Sequence, residues 1–154
     1  MFTKGQWITL GVIAVAVLLV VVGCAPSSTP PTPTVTIPKA LIGTYKTTIT
    51  EKDARAQNYL LNDLVGDFEI QFMEGGFLRV NLQNSGTATG EYTATQDTIA
   101  FGVDSGQLSC TAVGYASGTY KWSSDGKSLT FTKVNDGCFG RVLALTAHPL
   151  IKAQ

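Results

Sequence analysis

From residue 43 onward, apolar and polar residues alternate in short runs, and each run ends near glycine, aspartate, asparagine or serine. Period-two alternation describes a strand with one buried face. Connections this short make successive strands antiparallel neighbours. Segments 43–50, 67–72, 77–82, 90–94, 98–102, 118–122, 128–132 and 139–145 give eight candidate strands. Their inward positions include Tyr45, Phe68, Ile70, Phe72, Leu78, Val80, Tyr92, Ile99, Phe101, Tyr120, Trp122, Leu129 and Phe131. Residues 51–64 break the alternation, with 52–62 as the helix candidate within them. They contain no proline, glycine or β-branched side chain, so a short helix is expected after the first strand. Residues 104–117 form a longer loop rich in glycine and serine. The fold class expected is all-β, an eight-stranded antiparallel up-and-down meander. With no long amphipathic helix to cover an open face, closure into a barrel removes both edges and encloses the apolar side. Glycine stands two residues before an aromatic at Gly43, Gly66, Gly90 and Gly118, which suits strands that bend at a barrel rim.

The N-terminus has a different character. Lys4 precedes an almost unbroken apolar run over residues 7–22, as in a secretory signal. The run ends in Val21-Val22-Gly23-Cys24, which resembles the bacterial lipobox, whose cysteine is diacylated and becomes the new N-terminus. An uncleaved membrane anchor is the alternative, since about 17–25 apolar residues can span a bilayer. Either reading places the remainder outside the cytoplasm. Five of the six prolines fall within residues 25–38, among serine and threonine, and describe a semi-extended tether of about 3 Å per residue. The organisation expected is a signal peptide over 1–23, a lipidated Cys24 with its tether over 24–38, and a barrel domain over 39–154. The localisation that follows is the bacterial cell membrane, lipid-anchored, with the domain facing outward.

With Cys24 lipidated, Cys110 and Cys138 remain as the only possible pair, and an exported compartment favours a structural disulfide. Metal binding would need further cysteine or histidine nearby, and a reactive thiol would need a basic neighbour. His148 is the only histidine and precedes Pro149 in what reads as an exposed tail, so no nucleophilic triad is indicated. Acidic residues such as Glu69, Glu91, Asp97 and Asp125 lie on outward faces or in turns and suggest no acid–base pair. The expectation is a protein that is not an enzyme and carries no cofactor or metal. A formal net charge of zero, with 14% charged residues, argues against a nucleic-acid partner.

The Gly43-x-Tyr45 strand, the eight-strand meander and a lone arginine, Arg141, near the last strand resemble the lipocalin-like (calycin) barrels, in particular small bacterial lipoproteins of that type. The resemblance covers about residues 43 to 146. Tyr45 stands where such barrels usually carry tryptophan, so Arg141 packed over Tyr45 is expected by analogy. The resemblance implies a barrel that binds or carries a small hydrophobic ligand. An eight-stranded barrel is just wide enough to be filled by side chains or to hold one small molecule. If it holds one, Tyr45, Tyr92, Tyr120 and Trp122 are the candidate ligand-binding residues, each offering an apolar body with one polar handle. The alternative is a protein-interaction module, such as a protease-inhibitor-like barrel, with a filled interior and a working loop.

Overall fold

The computed structural model describes residues 36–58, 63–83 and 85–154. The expected signal segment, Cys24 with its expected lipidation, and most of the expected tether lie outside the described residues.

Eight antiparallel strands close into a barrel in sequence order. They are β1 (Gly43–Ile49), β2 (Gly66–Met73), β3 (Phe77–Leu82), β4 (Gly86–Ala94), β5 (Thr98–Gly106), β6 (Gly118–Ser124), β7 (Ser128–Asp136) and β8 (Leu150–Lys152). The alternation that set the register expectation is the one observed. In β2, Phe68, Ile70 and Phe72 are buried while Asp67, Glu69 and Gln71 are exposed. Tyr45 pairs with Ile70, Ile70 with Val80, and Val80 with Ala88, so the inward faces of four strands line up across the wall. A bulge between Gly90 and Tyr92 interrupts the β4–β5 ladder.

The strand expected over 139–145 is instead a helix, α2 (Phe139–Thr146). Val142, Leu143, Ala144 and Leu145 are buried consecutively, which a strand with one solvated face does not do. Leucine, alanine and arginine favour the helix, and Pro149 prevents its continuation. The eighth strand is residues 150–152, in the stretch read from the sequence as a tail. It is only three residues long and is held by two residue pairs to β1 and two to β7. The helix after β1, α1 (Glu51–Ala56), is shorter than the 52–62 expected. Thr50 and Asp53 form a reciprocal capping box at its start. Asn58, with φ of 62°, has already left the helical path.

An up-and-down meander alternates its connections between the two ends. The connections β2–β3, β4–β5 and β6–β7 are short hairpin turns, and both described termini join them at one end. The opposite end carries α1, the β5–β6 loop with its single 3₁₀ turn (Thr111–Val113), and α2. At the short-turn end, Leu41 is fully buried on a turn in which its N–H donates to Pro38 O. At the long-loop end, Leu143 and Ala144 of α2 pack with Ile49, Ala54, Phe68 and Leu82. Both ends are therefore stoppered by apolar side chains.

Candidate functional site

Tyr45, Tyr92, Tyr120 and Trp122 do face inward, and all four belong to one buried cluster. Their polar handles are already engaged. Tyr45 Oη donates to Ala40 O at 2.9 Å and Tyr92 Oη to Met73 O at 2.9 Å. Tyr120 Oη donates to Asp136 Oδ2 at 2.6 Å, and Trp122 Nε1 to Thr95 O at 3.1 Å. Rings occupy the space between: Phe72 meets Tyr45 and Tyr92 edge-on and stacks on Phe131, and Phe101 and Phe131 each meet Tyr120 edge-on. Burial raises the Tyr45 phenol, and burial with the neighbouring Tyr45 pushes Tyr92 up to about 12. Tyr120 is raised further, first by burial and then by Asp136. These phenols stay protonated and act as donors to the protein's own oxygens.

Toward the long-loop end this packing leaves a partly open cavity of about 70 Å³. Its lining includes Phe68, Ile70, Leu78, Val80, Phe101 and Leu145, with Leu64, Leu108 and Gly140 half-buried, and Arg141 contributes its one cationic group. None of the four candidate ligand-binding aromatics lines it.

Beside the cavity sits a charged cluster that the sequence reading did not assemble. The Asp136 side chain is fully buried, and four donors converge on its carboxylate. Arg141 contributes Nε at 2.6 Å and Nη2 at 3.0 Å as a two-pronged fork, and Tyr120 Oη and the Cys138 N–H supply the others. Arg141 is not over Tyr45. Its guanidinium lies over Phe101, 5.6 Å from the ring centre, while Lys152 occupies the position over Tyr45 at 5.9 Å. The helix explains the difference, because α2 carries Arg141 back toward the end of β7. Burial opposes the Arg141 charge, but the hydrogen bond and charge of Asp136 outweigh it and raise its pKa. Gly118 has no room for a side chain, since a Cβ there would strike Asp136 and Arg141.

Asp104 organises the β5–β6 loop. Its carboxylate accepts from the Thr111 N–H at 2.8 Å, the Cys110 N–H at 3.1 Å and the Ser109 hydroxyl at 2.8 Å. Burial pushes this carboxyl upward, and those hydrogen bonds together outweigh it and hold it below the usual carboxylate range. The expected Cys110–Cys138 disulfide is present and ties the loop to the start of α2. Beyond it the loop exposes Val113 and Tyr115, 65% and 48% accessible, with the Tyr115 ring resting against Gly137. The signal for this assembly was the pair of cysteines. Nothing in the sequence pattern joined Asp104, Asp136 and Arg141, because turn chemistry accounts for each aspartate separately.

His148 is not in a tail. It is half-exposed, followed by β8, and its Nε2 lies 3.0 Å from Asp53 Oδ2 of α1. Hydrogen bonds from Thr50, and then His148, hold Asp53 down to about 2. Among the described residues no group of three His, Cys, Asp or Glu side chains converges as a metal site. Comparison with models of protein families, with curated proteins and with solved structures finds no match to this chain.

Proposed function

We propose that this is a lipid-anchored extracytoplasmic protein of a bacterial membrane whose barrel serves as a protein-interaction module. The working surface is the disulfide-pinned β5–β6 loop. One observation carries the reading: Val113 and Tyr115 are exposed on a loop that Asp104 and the disulfide hold in one shape. A fixed loop loses little conformational entropy on docking, and an exposed tyrosine with an apolar neighbour is the kind of anchor interfaces favour. The described chain enters the barrel at the short-turn end, and this loop stands at the opposite end of the barrel. The interior supports the same choice. A cavity of about 70 Å³ is well short of the roughly 300–1,000 Å³ of a pocket that encloses a drug-sized ligand. The lipid anchor rests on Cys24 and the V-V-G-C stretch before it.

The test is crosslinking capture from intact cells with the wild-type protein and the double variant Val113→Ser, Tyr115→Ser. Neither side chain is buried, so the variant is expected to fold normally and to lose the captured partner. Equal capture by both proteins sinks the reading. Metabolic labelling with a fatty acid tests the anchor separately: Cys24→Ser is expected to abolish incorporation, and retained label overturns that assignment.

A further inference from the structure

The small cavity is lined by Arg141, whose Nη1 makes an ion pair but no hydrogen bond among the described residues. The Arg141 side chain is nine-tenths buried, with 9% of its surface exposed. Nε and Nη2 are taken up by Asp136, and Nη2 also reaches Tyr115 O at 3.4 Å. Nη1 has Asp104 Oδ2 at 3.8 Å, beyond hydrogen-bond range, and no closer acceptor among the described residues. No fully enclosed side-chain nitrogen or oxygen among those residues lacks a partner. Nη1 therefore keeps some accessible surface, and Arg141 is one of the residues that line the cavity.

The chemistry of the walls limits what fits. Glu91 and Asp104 line the cavity with two negative charges against one on Arg141, so a further anion is repelled. Apolar side chains make up most of the rest of the wall, so a ligand that fits needs a carbon body beside its polar atom. An apolar cavity of about 150 Å³ holds benzene, so half that volume suits a molecule of about four heavy atoms. We propose that this cavity binds a small neutral molecule with a short carbon body and one carbonyl or hydroxyl oxygen, of the size of acetone or propanol. The oxygen accepts from Arg141 Nη1, and the carbons lie against Phe68, Ile70, Leu78 and Leu145. The site stands independently of any partner at the β5–β6 loop.

The experiment uses the full chain in lipid nanodiscs, with isoleucine, leucine, valine and alanine methyl groups labelled for NMR. Acetone, isobutene and acetate are titrated in turn. Acetone is expected to shift the methyls of Ile70, Leu78 and Leu145 saturably, with a dissociation constant of about a millimolar. Isobutene, matched in shape but without an acceptor, is expected to bind about tenfold more weakly, and acetate not at all. Arg141 also supports the fold, so the confirming variant is Ala88→Leu, which fills the cavity from β4 without touching the charged cluster. It is expected to retain the dispersed spectrum and abolish the acetone shifts. Equal affinity for acetone and isobutene, saturable binding of acetate, no saturable shift with acetone, or undiminished shifts in a folded Ala88→Leu protein each overturns the proposal.

Discussion

Asp136 is the residue whose environment is most demanding. A carboxylate with no solvent contact is tolerated because Arg141, Tyr120 and the Cys138 N–H surround it. Removing one member of such a pair strands the other, at a cost of about 3–5 kcal/mol, whereas replacing both costs less than the sum. Arg141→Leu is therefore expected to lose about that much stability in urea unfolding. The cycle completed by Asp136→Leu is expected to show strong coupling, and additive effects would contradict the arrangement. Depressed carboxyls, Asp53, Asp104 and Asp125, set the acid limit. Asp53, near 2 rather than its ordinary 3.8, and Asp104, also depressed, each bind a proton more tightly in the unfolded chain. Their stabilisation is complete above the unfolded value and is lost as pH falls through the folded one. Asp53→Asn and Asp104→Asn are expected to lower the melting temperature at neutral pH, and both differences to shrink as pH falls, that of Asp53→Asn being mostly gone near pH 2. A variant that differs from wild type equally at both pH values would remove that residue from the account. None of this was legible from the sequence, since the partners of each aspartate are brought together only by the fold or by loop geometry.

At the level of elements, β1 to β7 were legible because their alternation repeats with turn residues between. The segment 139–145 was not. Its Val-Leu-Ala-Leu run has no alternation, and a short apolar run is compatible with a buried strand or a helix. Strand count favoured a strand, while the closing role actually fell to three residues beyond Pro149. The helix became a stopper, with Leu143 fully buried against Ile49 and Phe68. Leu143→Ala is expected to destabilise by about 2–5 kcal/mol, the range for deleting a buried leucine. A loss below about 0.5 kcal/mol, as at an exposed site, would show that α2 does not seal that end.

For the whole molecule, one crosslink joins the two connections that dominate the long-loop end. It closes a loop of 28 residues, for which chain entropy gives about 3–4 kcal/mol. The Cys110→Ala, Cys138→Ala double variant is expected to unfold at correspondingly lower urea, and an unchanged midpoint would deny the bridge a stabilising role. The cysteine pairing was legible from compartment and count. The division of the barrel into a short-turn end and a long-loop end was only half legible, because α2 was hidden inside an expected strand. The burial of Trp122 gives the barrel an optical signature. In a chain beginning at Cys24 it is the sole indole, enclosed at 7% exposure and hydrogen-bonded across the β4–β5 turn to Thr95 O. Its emission reports on the closed barrel wall alone, so unfolding shifts it to the red while rearrangement of the distant β5–β6 loop leaves it in place. A single wavelength thereby separates loss of the scaffold from events at the long-loop end.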